Sequence, residues 1–160
     1  MIKQLVYSDR NKINQLLRSS GTFRDDEVLT AMDIIDAVLS KKGESDYHIF
    51  SYHLGSDYLA GYICFGPIPM TEYCFDLYWI AVDSRVRQCK VGTKLAAFME
   101  STVIRLGGRK IYVDTSSTEP YAAARSFYEK QGYAVVCVLH DFYRQGDHKI
   151  IFMKELGTHG

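Results

Sequence analysis

No stretch of this 160-residue chain comes near the ~20 consecutive apolar residues of a membrane span, and its opening, Met1-Ile-Lys-Gln-Leu-Val6, lacks the apolar core of a secretory leader. A cytoplasmic protein with no membrane partner is the expectation. Net charge is missing too. The 19 Lys and Arg balance 19 Asp and Glu, so no global field draws the chain to nucleic acid, and any anion site must be local. Cysteine is sparse: Cys64, Cys74, Cys89 and Cys137 form no Cys-x-x-Cys pair, which excludes a zinc ribbon and fits reduced thiols better than disulfides. His48 and His53 have no acid at ligand spacing, so they imply no metal and read as surface residues of a hairpin. Gly-x-x-x-x-Gly-Lys-Ser/Thr and Gly-x-Gly-x-x-Gly are both absent, which excludes a P-loop kinase and a dinucleotide enzyme.

What the chain does have is core. With 47% hydrophobic residues, its length suits one compact domain over 1–160 and is too short for two ordinary ones. Ile2 to Tyr7 alternates like a short strand, and Ser8 or Asp9 can cap a helix with Ile13, Leu16 and Leu17 on one face. Asp25-Asp-Glu opens a second helix with an apolar face of Val28, Leu29, Met32, Ile35, Ala37 and Leu39, closed by Lys41-Lys42-Gly43. From Tyr47 the period becomes that of strands. Tyr47–Leu54 and Tyr58–Phe65 around Gly55-Ser-Asp57 read as a hairpin. Residues 72–82, dense in aromatics, read as a central strand buried on both faces. A helix with Val91, Leu95, Phe98, Met99, Thr102, Val103 and Leu106 at helical period stops at Gly107-Gly108. Lys110–Asp114 is a strand, Pro120 opens a last helix that Gly132 closes, and Tyr133–Phe142 with Lys149–Leu156 form a final hairpin through Arg144-Gln-Gly-Asp147.

The chain is organised around Ile80-Ala-Val-Asp-Ser-Arg-Val-Arg-Gln-Cys-Lys-Val-Gly-Thr-Lys-Leu95, an apolar strand running through a basic turn into an amphipathic helix. A helix start leaves N–H groups unpaired at the positive end of its dipole, so an anion placed there meets donors and favourable charge together. Arg85, Arg87, Lys90 and Lys94 add cations around it. Strand, helix and strand in succession imply a right-handed crossover between parallel neighbours, with the ligand at the strands' carboxyl ends. Cys89 lies in this turn without an evident His, Asn or Asp partner, and reads as a bystander thiol.

The spacing Arg87-x-x-Lys90-x-Gly92 resembles the acetyl-CoA signature of the GNAT superfamily of N-acetyltransferases, Arg/Gln-x-x-Gly-x-Gly/Ala, with Lys90 in place of the middle glycine. Further on, Ala124-x-x-Phe127-Tyr128-x-x-x-Gly132-Tyr133 resembles the second GNAT motif, with Tyr121 where the family often has asparagine. Both motifs lie in residues 76–133, and the resemblance spans nearly the whole chain.

The resemblance implies an α/β fold: a mixed sheet of about seven mostly antiparallel strands with a central parallel pair and four flanking helices. It implies acetyl-CoA as co-substrate, held by Ile80, Ala81 and Val82 on the strand and by Arg87, Gln88, Cys89, Lys90, Val91, Gly92 and Thr93 at the turn and helix start. It also implies acetyl transfer to a primary amine by direct attack in a ternary complex. An ammonium of pKa ~10.4 must lose a proton first. Asp76 is the candidate base, on one strand face with Tyr78, Ile80 and Val82 by alternation. By the same resemblance, Tyr128 matches the tyrosine that faces the CoA sulfur and protonates the departing thiolate. The acceptor is an amine-bearing small molecule or a peptide, and Tyr143, Asp147 and His148 border its groove in relatives. A homodimer is compatible with this reading. The alternative is a non-catalytic module of the same fold that binds CoA or a protein partner.

Overall fold

The computed structural model describes residues 1–41 and 45–157. The chain clusters into two compact units, Met1–Gly66 with Trp79–Met99, and Pro67–Tyr78 with the chain from Glu100 onward. Among the described residues, seven strands run in the order β1-β2-β3-β4-β5-β7-β6. They are β1 (Ile2–Gln4), β2 (His48–Leu54), β3 (Tyr58–Pro67), β4 (Cys74–Val82), β5 (Lys110–Ser116), β6 (Ala134–Arg144) and β7 (Asp147–Glu155). β4 and β5 are the parallel pair. The four α-helices among the described residues are α1 (Arg10–Ser19), α2 (Asp25–Ser40), α3 (Val91–Arg105) and α4 (Ala122–Lys130). This is the mixed α/β arrangement expected.

In the first unit, α1 buries Ile13, Leu16 and Leu17, and α2 buries Val28, Ala31, Met32 and Ile35. Leu29 and Ala37, assigned to that face from their spacing, are exposed instead, Leu29 at 57%. The Glu27 carboxylate accepts the Arg24 N–H at 2.8 Å and so satisfies a donor at the start of α2. The expected Lys42-Gly43 close of α2 lies outside the described residues. Asp9 is no side-chain cap. It is 1% exposed and accepts from Ser51 Oγ at 2.7 Å, with His53 Nε2 3.3 Å from its other oxygen. His53 is therefore a buried residue of β2 rather than a surface one, because a polar group taken from water needs such partners. His48 is half-buried, stacked on Phe65 at 5.3 Å between ring centroids.

In the second unit, β5 pairs with β7 antiparallel from Lys110↔Glu155 to Ser116↔Lys149, and β6 pairs with β7. Phe75, Leu77, Val103, Ile111, Val113, Tyr128 and Phe152 are buried here. α3 ends in a Schellman arrangement: the Gly107 N–H reaches the Ile104 carbonyl at 3.0 Å and the Gly108 N–H the Val103 carbonyl at 2.8 Å. Gly107 stands at φ +85°, a backbone state that glycine adopts without a Cβ penalty. β4 is buried on one face only. Phe75, Leu77 and Ala81 are buried, whereas Cys74, Asp76, Tyr78, Trp79, Ile80 and Val82 are half-buried, so alternation interrupted at Trp79, not the all-round burial expected, describes this strand. β6 begins one residue later than expected and is exposed along its whole length.

Candidate active site

The segment after β4 is more elaborate than a turn. Ser84–Cys89 forms a 3₁₀ helix with non-helical backbone at Val86. Asp83 starts it, accepting the Arg85 N–H at 2.9 Å through Oδ1. The Arg85 guanidinium folds back onto Asp83 at 2.6 Å, and the Tyr58 hydroxyl donates to the same carboxylate at 2.6 Å. The guanidinium holds the Asp83 carboxyl well below the usual carboxylate range. Lys94 is engaged as well, with Nζ 3.3 Å from the Tyr52 hydroxyl.

Of the four cations expected around the anion site, Arg87 and Lys90 are the two with no side-chain partner among the described residues, and both are exposed. Lys90 joins the 3₁₀ helix to α3 at φ +51°, ψ +36°, the left-handed region that glycine favours. Here the family signature has its middle glycine. Val91, Gly92 and Thr93 are the first residues of α3, at the positive end of its dipole. This helix start sits close on β3. A Cβ added at Gly61 would lie 2.9 Å from the Ala81 carbonyl oxygen and 3.0 Å from Val91 Cγ1, so glycine at 61 is what lets strand and helix approach. Gln88 is exposed, and Val82 and Cys89 are half-buried. The candidate cofactor residues Ile80, Ala81, Val82 and Arg87 to Thr93 all belong to the first unit.

Asp76 and Tyr128 belong to the second unit. Asp76 lines an open cleft of about 330 Å³ with Ile68, Thr71, Cys74, Tyr112, Asp114, Lys149 and Ile151. The strands explain the grouping: Asp76 is the register partner of Tyr112 in the parallel pair, and Asp114 is the partner of Ile151 in the antiparallel one. Register partners lie on one face. Asp76 has no hydrogen bond or ion pair among the described residues. Burial, and after it the Asp114 carboxylate, push its carboxyl up to about 6, with Lys149 acting the other way. An ionised carboxylate with a proton affinity near neutrality is the combination a general base needs.

Tyr128 does not line that cleft. Its ring is buried among Phe127, Tyr133 and Phe152 at centroid separations of 5.8, 6.1 and 5.6 Å. Burial raises its phenol above the ordinary value, so the hydroxyl is a proton-bearing donor at neutral pH. Asp147, expected beside the acceptor, is 3% exposed and accepts from Ser116 Oγ at 2.5 Å. His148 Nδ1 accepts the Asp141 N–H at 2.9 Å. Asp147 thus ties the start of β7 to the end of β5 and His148 closes the hairpin, while Tyr143 is exposed on β6. Asp83, Gly61, Asp114 and Lys149 went unnoticed in the sequence. Alternation on β5 and β7 pointed to the last two, but only the register joins them to Asp76.

Residues 11–133 match the family described as acetyltransferase (GNAT). Among solved structures, the chain is similar to a GNAT-family protein from Desulfovibrio desulfuricans at 34% identity, covering 98% of this chain and 99% of that one with a TM-score of 0.93. It is also similar to an aminoglycoside 6′-N-acetyltransferase complexed with coenzyme A, at 20% identity, 100% and 99% coverage and a TM-score of 0.76. A third likeness is to yncA from Salmonella typhimurium with its cofactor acetyl-CoA, at 14% identity, 100% and 95% coverage and a TM-score of 0.74. The last two likenesses speak to the fold alone. No curated protein matches the chain significantly.

Proposed function

This chain belongs to the acetyltransferase (GNAT) family, and on that premise we propose that it moves an acetyl group from acetyl-CoA to a primary amine by direct attack in a ternary complex. The observation that carries this reading is Asp76: a half-buried carboxylate without a partner, its proton affinity raised toward neutrality, lining an open cleft.

The residues fit the co-substrate by their chemistry. Arg87 and Lys90 are exposed, uncommitted cations beside a helix start, suited to a pyrophosphate. The half-buried face of β4 at Ile80 and Val82 offers strand backbone to pantetheine. Asp76 takes a proton from the incoming ammonium. As the new C–N bond forms, the C–S bond breaks, and the second proton shed by the acetylated nitrogen passes through solvent to the departing thiolate, so the products are the amide and the CoA thiol. Tyr128, with its raised phenol, serves as a hydrogen-bond donor to the departing sulfur rather than as a full proton source. A donor aimed at developing charge lowers the barrier without giving up its proton.

We further infer that residues 1–160 act as a single acetyltransferase domain. The exposed edge strand β6 carries Val135, Val136, Val138 and Leu139. An apolar edge of this kind favours pairing with a second copy of the chain, and light scattering at the mass of a monomer would exclude that assembly.

Acetyl-CoA at ~100 times its dissociation constant is expected to stabilise the fold by ~2.7 kcal/mol, and an amine panel with thiol detection to show turnover. Stabilisation without turnover on any amine would favour the non-catalytic module instead. No stabilisation at millimolar acetyl-CoA would remove acetyl transfer and the CoA-binding form of the module, leaving the form that binds a protein partner.

A further inference from the structure

We propose that the cleft of the second unit selects a compact amine with one positive charge and an apolar body, and that Lys149 imposes this limit by neutralising Asp114. The inference rests on the acetyl-transfer reading above and names the class of its acceptor.

The cleft holds three charged side chains. Lys149 Nζ lies 2.7 Å from Asp114 Oδ2 and 4.7 Å from the centre of the Phe142 ring, so the ammonium is held between a carboxylate and an aromatic face. That pair cancels. Among the described residues Asp76 makes no ion pair and gives the cleft its one net negative charge, beside Ile68, Tyr112 and Ile151. One ammonium entering the cleft meets one free anion, and the rest of the molecule meets apolar walls. A second ammonium finds no free anion and faces the Lys149 charge. Specificity by repulsion is as effective as specificity by attraction. The volume of about 330 Å³ is at the lower end of small-molecule pockets, which suits a compact acceptor.

Two amines decide the matter, 2-phenylethylamine as the monocation and spermidine as the polycation. Each is followed as acetyl-transfer kcat/KM and, independently of turnover, as calorimetric binding in the presence of CoA. The wild type is expected to favour 2-phenylethylamine at least roughly tenfold. Lys149→Met frees Asp114 and is expected to move the ratio toward spermidine by roughly tenfold or more. The double variant Lys149→Met with Asp114→Asn should return the ratio toward that of the wild type, and Lys149→Gln serves where the Met variant does not fold. A wild type that prefers spermidine, or a ratio unmoved by loss of Lys149, overturns the assignment while leaving acetyl transfer intact. Absence of transfer to, and of binding by, every amine overturns it together with the acetyl-transfer reading, an outcome that this pattern separates from the first.

Discussion

Asp83 holds Arg85 twice, once through the backbone N–H at 2.9 Å and once through the guanidinium at 2.6 Å. A strongly basic turn thereby commits one of its cations to shaping the turn itself. The cations left for an anionic ligand are Arg87 and Lys90, which makes the two arginines separable by experiment. Arg87→Ala is expected to weaken acetyl-CoA by ~10-fold or more, the loss of one charge-assisted hydrogen bond of about 1.5–3 kcal/mol. Arg85→Ala should weaken it less than about threefold, since an exposed ion pair contributes at most ~1 kcal/mol. Calorimetric titration of both variants checks the order, and a larger effect at Arg85 would reverse it.

Lys90 occupies a backbone state that costs a residue with a Cβ roughly 1–2 kcal/mol. Lys90→Gly is expected to stabilise the fold by about 1 kcal/mol even though it deletes a side chain. Lys90→Ala, which keeps the strain and removes the charge, should not. Denaturant unfolding of the pair decides this. If Lys90→Gly also loses affinity for acetyl-CoA, the ammonium is a ligand contact; if affinity holds, the lysine is tolerated there without a binding role.

Asp76 makes a prediction about stability as well as rate. Its carboxyl binds protons more tightly folded than unfolded, about 6 against ~3.9, so the folded state holds the extra proton between those values. Stability therefore falls as pH rises through that window. Asp76→Asn is expected to gain on the order of 1 kcal/mol at pH 8, a figure discounted for the solvent that screens a half-buried group. The gain should vanish below pH 4. The same variant should lose ~100- to 10,000-fold in turnover and lose the acidic limb near pH 6, with acetyl-CoA binding kept. A rate and acidic limb equal to wild type on the same acceptor would make Asp76 structural.

Tyr128→Phe removes a hydroxyl and leaves the ring against Phe152 and Tyr133. Affinity for acetyl-CoA should be unchanged and kcat lower by ~10- to 100-fold, the range for loss of one donor to developing charge. Single-turnover kinetics isolate the chemical step. A wild-type rate there would reduce Tyr128 to packing.

The fold and the helix-start motif were legible because both are local. Apolar spacing in α1 and α3, Gly107-Gly108 at the end of α3, and the basic run after β4 are written in neighbouring residues. What depended on pairing was not. His53 looked like a surface residue until Asp9, more than forty positions earlier, was found against it. Asp147, expected beside the acceptor, is instead bonded by Ser116, more than thirty positions earlier. Lys149 acquired its place beside Asp114 only through the β5–β7 register. The signature glycine replaced by Lys90 was visible from the start, but its consequence, a positive φ carried by a lysine, is a property of the backbone.

The most direct test of the central claim is a single-turnover reaction of stoichiometric protein and acetyl-CoA with 2-phenylethylamine, followed by mass spectrometry of the amine and by thiol release. N-acetylated amine and free CoA thiol are expected in equal amounts, at a rate that collapses in Asp76→Asn. Thiol release without acetylated amine, or acetylated amine formed equally fast by Asp76→Asn, would contradict it.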